Sequence, residues 1–498
     1  MREVRHKAVL IMLKSKGSLA VRMVYRMNNN NTIYKKAIQL AIPMMIQSGI
    51  TNAVGLVDNL MVGGLGTESI TAVSIAGQLI FVFNLAIFGG LSGPGIYGAQ
   101  YYGQGNTEGV RNIFRLKWWV ACFCVILGTL IFIFGGTFLL KRYLTGEGTE
   151  IDPELTLFYS KQYLDIMLIG FLPFAITQVY AGSLRETGES MKPMVAGILS
   201  VLVDVVFNYL LIYGKFGFPR LEVRGAAAAT VLSRFVELAA LVIWAHADRK
   251  KHTFLQGIYR RLLVPVSVAG PVLLKGLPIF INEFLWAAGI AVLTQCYSKR
   301  GLDVIAGLNI SNAICNLLNV VFIALGSAVG ILIGQMLGAN ELERAKKDSV
   351  RLMWFTGFLC IGLTVVLIAI SGVFPKAYDT SETVRNYGTQ FIIVTALFFP
   401  IQGFLNSLYF TLRSGGKTVI TFLFDSVYSW VISVPVALAL CNYTGLPILA
   451  IYTIIQSLDI LKVIVGYILI KAGIWITNLA EEVSVEDADT AETIHAQR

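Results

Sequence analysis

About twelve stretches of this chain are apolar over lengths that cross a lipid bilayer, whose hydrocarbon core takes roughly 20 helical residues. They cover residues 37–63, 69–101, 116–139, 158–184, 192–214, 225–247, 273–298, 303–337, 351–374, 386–412, 418–441 and 447–471. The runs at 69–101 and 303–337 exceed one simple crossing, so each is predicted to be long, tilted or broken. A chain of 498 residues with 55% hydrophobic and 14% charged residues cannot clothe itself in polar surface. A soluble domain carries about 25% charged residues. Disorder, a disulfide-rich secreted scaffold and a collagen-like chain are excluded, and an all-α integral membrane protein remains. The six cysteines (Cys122, Cys124, Cys296, Cys315, Cys360, Cys441) lie in or beside apolar runs without a Cys-x-x-Cys pair, and only four histidines exist. No metal, cofactor or disulfide framework is expected, and the thiols read as small buried hydrophobes.

Charge sets the topology. One alternate set of loops, together with both termini, holds 28 of the 40 lysines and arginines; the other set holds 10. Basic loops face the cytoplasm, so an even number of spans with both termini inside a cell membrane is predicted. The net charge of +10 then reports sidedness, and no nucleic acid partner is implied. Residues 1–34 read as a basic cytoplasmic leader without a signal-peptide pattern. Residues 35–247 form a first lobe, 248–272 a cytoplasmic linker, 273–472 a second lobe and 473–498 a solvated acidic tail.

The two lobes repeat one another. Shifted by 235, the sequence matches itself without a gap from Pro43 to Gly103, with Pro43/Pro278, Gly66/Gly301, Asn84/Asn319, Ser92/Ser327, Gly95/Gly330, Gln100/Gln335 and Gly103/Gly338 as the informative identities. Six spans per half is an even number, so the repeats run parallel about an axis along the membrane normal. Substrate sites in such proteins lie between the halves near the midplane.

Three stretches resemble the multidrug and toxic compound extrusion (MATE) family: Pro43 with Val57-Asp58-Asn59-Leu60-Met61-Val62-Gly63-Gly64-Leu65-Gly66; Leu184-Arg185 with Gly188 and its repeat Leu412-Arg413 with Gly416; and Asn208-Tyr209-Leu210-Leu211-Ile212 with Gly214, followed by Gly225 to Thr230. The resemblance spans roughly residues 35–472. It implies two V-shaped six-helix lobes and export of amphipathic, often cationic organic compounds in exchange for H⁺ or Na⁺, by a monomer embedded in lipid.

Charged groups at the bilayer centre cost roughly 2.5–3.5 kcal/mol on insertion scales and mark function by default. Asp58 is the candidate ion-coupling carboxylate, against the plainer reading of a solvated helix end. Asp204 and Asn208 are four apart and share a helix face. Relatives with a first-lobe cation site often show Asn then Asp at this spacing, and here the order is reversed. Glu283 is a further coupling candidate, one turn before the position, here Trp286, where many relatives carry Glu. Gln402 stands where some Na⁺-coupled relatives carry Asp, which argues against a second-lobe Na⁺ site built the same way. Asn282, Asn309, Asn312, Asn316, Asn319, Gln402 and Tyr428 are expected to line the substrate cavity. Asn309 to Asn319 repeat at helical spacing within an arc of about 80°. Arg185 and Arg413 at the ends of the fourth and tenth runs, with Pro43 and Pro278, are expected to serve the gate or the frame. Gly326, Gly330, Gly334 and Gly338 read as a packing stripe.

An alternative is a flippase for lipid-linked oligosaccharide or lipid, which would want a basic cavity; Arg234 is the main intramembrane arginine available. A major facilitator carrier would carry a Gly…Asp-Arg…Gly-Arg loop that residues 101–112 lack. An intramembrane enzyme is not expected, since His6, His246, His252 and His495 are scattered, and no phosphate-binding Walker pattern points to ATP.

Overall fold

In the computed structural model the described residues are 19–144, 152–248 and 250–482. The first part of the basic leader (residues 1–18) and the end of the acidic tail (483–498) lie outside them. Twelve helical units follow in chain order: α1 Leu19–Gly63, α2 Thr67–Gln104, α3 Thr107–Tyr143, α4 Pro153–Ile169 with Phe171–Glu186, α5 Met191–Tyr213, α6 Val223–Ala247, α7 Val266–Ser298, α8 Leu302–Gly338, α9 Leu342–Ser371, α10 Glu382–Ser414, α11 Thr418–Tyr443 and α12 Ile448–Ala472. All are long and apolar enough to cross a membrane when the bent pair of α4 counts as one span.

Polar residues at the helix starts do local work. Asn106 caps α3 by accepting from the Gly109 amide at 2.8 Å. Asp152 caps α4 through the amides of Glu154 and Leu155, with Pro153 in the first turn. Such caps satisfy amides that a helix N-terminus leaves without partners. The turns that open α2 and α8 show the repeat in the backbone itself. Gly66 and Gly301, 235 apart, adopt φ 127° and 126°, values that only glycine takes readily.

The long runs at 69–101 and 303–337 are the continuous helices α2 and α8, of 38 and 37 residues. At 1.5 Å per residue each is roughly 55 Å long and overreaches the hydrocarbon core. The interruptions fall elsewhere. α4 bends by 47° at Gly170. α11 passes through two π-helical stretches, Leu423–Val427 and Ser429–Ser433. α12 restarts at Leu458.

The first helix of each half crosses into the other. Ile33, Ala37, Leu40, Ala41 and Met44 of α1 belong to the apolar core of the second lobe. Val268, Val272 and Ile279 of α7 belong to the core of the first. Three of these positions correspond under the 235 shift: Ile33/Val268, Ala37/Val272 and Met44/Ile279. Above Pro43 and Pro278 each helix returns to its own lobe. Asp58 meets Asn208 of α5, and Asn282 meets Asp425 of α11. A proline removes one helical hydrogen bond and clashes with the preceding turn, so both helices are weakest where they change partners.

The lobes close against each other at the end that carries the linker. A Cβ at Gly103 would strike the Gln335 carbonyl, and one at Gly338 the Gln100 carbonyl. The two glutamines then reach across. Gln335 Nε2 donates to the Glu186 carbonyl at the end of α4 (2.7 Å), and Gln100 Nε2 donates to the Ser414 carbonyl at the end of α10 (2.8 Å). Each lobe thus satisfies a terminal carbonyl of the other. On the gap side of this seam Lys117 Nζ bonds both carboxylate oxygens of Glu186, at 2.6 and 2.5 Å. At the opposite end Ser74, Gly77 and Phe81 of α2 and their counterparts Asn309, Asn312 and Asn316 of α8 are exposed. The gap between the lobes therefore opens away from the linker.

Two further segments brace the closed end. Arg111, Arg115 and Trp119, four apart on α3, donate to the carbonyls of Phe254, Ile258 and Leu262 and hold the linker along the first lobe. Lys192 lies 2.8 Å from His252 Nε2. Residues 473–482 correct the expectation of a wholly solvated tail. Trp475 is fully buried in the second lobe, while Leu479 and Ala480 pack into the core of the first. Gln100 Nε2 donates to the Thr477 carbonyl, and the Leu479 amide donates to Gln100 Oε1 at 2.7 Å. The apolar side chains prevailed over the flanking acids.

Three outcomes follow from this packing. Gly103→Val keeps the seam apart, and disulfide formation between Ala99→Cys and Gly334→Cys, adjacent in the closed state, falls to background. Trp475→Ala leaves a large void and lowers stability by about 3–5 kcal/mol, read by thermal unfolding of the purified protein. Burial, then the Lys192 ammonium, hold His252 below the ordinary imidazole range of about 6.5. Its neutral form therefore supports linker docking above that pH, and docking weakens as pH falls below it. Tryptic cleavage at Arg260 and Arg261 is expected to quicken from pH 7.5 to 5.5 relative to denatured substrate.

Candidate functional site

The first lobe brings three of the expected residues together. Asn208 of α5 donates from Nδ2 to Asp58 Oδ1 on α1 at 2.8 Å and to Asp204 Oδ2, one turn earlier on its own helix, at 3.4 Å. The amide therefore bridges two carboxylates. Asp204 and Asn208 are 6% and 1% exposed. Two acceptors in the cluster, Asp204 Oδ1 and Asn208 Oδ1, are buried without a hydrogen-bond donor from the described protein. Buried acceptors without partners are uncommon and costly, and these two sit one helical turn apart on α5. Chemically, such a cluster can accept a proton or a small cation.

The cluster opens on a cavity of about 470 Å³ walled by Asp58, Asn59, Ser74, Gln78, Phe81, Tyr163, Thr230 and Arg234 among others. The bend of α4 shapes this wall. Where the helix breaks, Arg234 Nη1 donates to the Gly170 carbonyl at 3.2 Å, and its guanidinium sits 4.9 Å over the Phe174 ring. Pro173, three residues beyond Gly170, marks the break in the sequence, since it cannot donate to the Ile169 carbonyl.

A second cavity of about 410 Å³ lies between the lobes above the seam. Its wall includes Asn84, Gln178, Arg185 and Glu186 from the first lobe and Ser327, Phe410 and Arg413 from the second. Phe81 borders both cavities. Arg185 donates to Gln47 Oε1 of α1 at 2.8 Å. Arg413 stacks over Phe410 at 5.5 Å. Both arginines thus stand at the floor of the gap, next to the closure. Lys117, at the start of the run 116–139, is part of the same floor through Glu186.

The remaining expected residues divide. Asn309, Asn312 and Asn316 are exposed along α8, and Asn319 donates to Asn316 Oδ1 at 3.2 Å. Three expected cavity residues are instead tied into a partly buried network of the second lobe. Asn282, 2% exposed, donates to Asp425 and to the Tyr409 hydroxyl, and accepts from Ser426 at 2.6 Å. Gln402 donates to Asp459 Oδ2 at 2.6 Å, and the Tyr428 hydroxyl donates to the Leu458 carbonyl at 2.7 Å, where α12 breaks. The cause is the same in each case: a polar side chain in an apolar span seeks an internal partner before it faces a gap. Glu283 does not join Asp58. It lies against Gly89 of α2, across the contact between the lobes, with Arg413 and Asp425 as the charges acting on it. Asp459 and Lys462 were not singled out in the sequence, although a lysine within an apolar run and an aspartate three residues before it were visible. Among the described residues no three His, Cys, Asp or Glu side chains converge as metal ligands.

Comparison with known proteins agrees with this architecture. The MatE family model matches residues 43–210 and again 278–439, once in each half. The "Probable multidrug resistance protein YoeA" of Bacillus subtilis is 25% identical over 434 residues, covering 86% of this chain and 92% of that protein. The multidrug resistance protein PmpM of Pseudomonas aeruginosa is 26% identical over 410 residues, with 82% and 83% covered. Among solved structures, an outward-facing multidrug resistance MATE family transporter of the MOP superfamily superposes with a TM-score of 0.79 at 20% identity, over 89% of this chain and 96% of that one. A MATE protein in complex with MaL6 gives 0.76, also at 20% identity, over 92% and 97%. With both repeats matched and the fold shared along its length, the chain belongs to the MATE family: it is a multi-pass membrane transporter and not an enzyme.

Proposed function

We propose that the protein is a cation-coupled antiporter that exports amphipathic, often cationic organic compounds, with H⁺ or Na⁺ as the coupling ion taken up at Asp58, Asp204 and Asn208. The observation that carries this reading is the pair of donor-less buried oxygens beside two carboxylates that share one amide. The linker end is taken as cytoplasmic because the basic loops cluster there, so the open end faces outward and the cargo leaves through it.

In this reading a monovalent cation entering from outside removes one negative charge from the carboxylate pair. Removing one uncompensated charge from the bilayer interior is worth roughly 2.5–3.5 kcal/mol, enough to shift a two-state equilibrium about a hundredfold. Asp58 sits on α1, whose other end lies in the second lobe, so a change at the cluster bears directly on the contact between lobes. The cargo would occupy the gap bordered by Phe81, Phe410 and the exposed asparagines of α8. Apolar walls with few polar groups accept many shapes. Asp425 and Asp459 of the second lobe need take no part, because Asn282, Gln402 and Lys462 engage them; Glu283 remains a further coupling candidate.

Cells expressing Asp58→Asn are expected to retain a fluorescent organic cation at the level of cells without the transporter, with the protein still present in the membrane. Gradient-driven export by that variant at the wild-type rate would refute the proposal. Proteoliposomes under separate H⁺ and Na⁺ gradients identify the coupling ion.

A further inference from the structure

The second lobe holds a charged centre of its own. α12 restarts at Leu458, so Asp459 opens the new segment and Lys462 follows three residues later. α11 brings Asp425 to the same point on one of its π-helical stretches. Lys462 Nζ lies 3.4 Å from Asp459 Oδ1 and 3.7 Å from Asp425 Oδ1. Its side chain is only 7% exposed. The remaining carboxylate oxygens are also engaged: Gln402 Nε2 donates to Asp459 Oδ2 at 2.6 Å, and Asn282 Nδ2 donates to Asp425 Oδ2 at 3.1 Å. The Tyr428 ring lies 5.0 Å from the ammonium. All four oxygens of two intramembrane carboxylates therefore have partners supplied by the chain.

Two carboxylates flanked by side-chain amides, with an aromatic face beside them, are the surroundings that a small monovalent cation would take. An ammonium is a compact point charge of the same sign, and here it is fixed to the helix by its own side chain. The interruptions of α11 and α12 have the same logic, since irregular backbone at membrane depth survives where it serves a buried polar centre. We infer that Lys462 is a tethered cation: it occupies the second lobe's carboxylate centre in place of a free ion, and its removal turns Asp425, Asp459, Asn282 and Gln402 into a site for a free monovalent cation such as Na⁺. The inference concerns the second lobe alone and does not depend on what Asp58 binds.

The test is thermal unfolding of the purified full-length protein as Na⁺ replaces choline at constant ionic strength. Lys462→Met is expected to unfold several degrees below wild type in choline and to regain most of that loss as Na⁺ rises, beyond any response of wild type. Lys462→Arg keeps a fixed positive charge and shows no added response. Lys462→Met combined with Asp459→Asn restores the charge balance and loses the added response. Asp425→Asn alone leaves the wild-type Na⁺ response unchanged. The inference is overturned if Lys462→Met responds to Na⁺ as wild type does, or if Asp425→Asn abolishes a Na⁺ response that wild type possesses. Should Lys462→Met not be recoverable, the Asp425→Asn comparison decides: an unchanged response supports the tethered ion and a lost one refutes it.

Discussion

Backbone meets backbone at Gly103 and Gly338, and most of the architecture is arranged around that contact. It lets two glutamines span the interface and satisfy the last carbonyls of helices that belong to opposite lobes. It also needs α1 and α7 to run through the neighbouring lobe before returning to their own. An interface of this kind cannot rest on apolar burial, because lipid is as apolar as leucine. Close packing of small residues and reciprocal hydrogen bonds take its place. The buried Lys117–Glu186 pair and the inserted Trp475 segment thicken the same layer.

Much of this was legible in the sequence because duplication writes its constraints twice. The identities Gln100/Gln335 and Gly103/Gly338 stood out under the 235 shift, and so did Pro43/Pro278. What those residues touch was not legible. The partners of the two glutamines are backbone carbonyls at the ends of α4 and α10, and no side-chain pattern announces where a carbonyl will lie. Pro173 was a visible signal for the bend at Gly170, but the side chain that reaches the Gly170 carbonyl, Arg234 from a helix 64 residues away, was not. In the tail, six acids between Glu481 and Glu492 concealed Trp475, Leu479 and Ala480. Side chains of that size seek a core even in charged company.

The candidate site shows the same division. Asp58, Asp204 and Asn208 were conspicuous as polar residues in apolar spans, and they meet, although 150 residues separate Asp58 from Asn208. Asn282, Gln402 and Tyr428 were equally conspicuous and face a different charged centre. Periodicity places a side chain on a helix face but does not say which neighbouring helix that face meets. The two lobes have thus parted in chemistry while keeping one backbone plan. The first retains unpartnered acceptors, and the second has closed Asp425 and Asp459 with a lysine, a glutamine and an asparagine.

Reciprocal capping bears on how well the protein insulates. Each glutamine amide that withdraws strands a carbonyl in the opposite lobe, and an unsatisfied buried group costs about 1–3 kcal/mol. Partial separation loses these bonds on both sides of the pseudo-axis before water can replace them. A half-parted seam is therefore the least stable arrangement along the way. The passage between the lobes tends to be shut or fully parted, so a continuous aqueous thread from one bath to the other is suppressed.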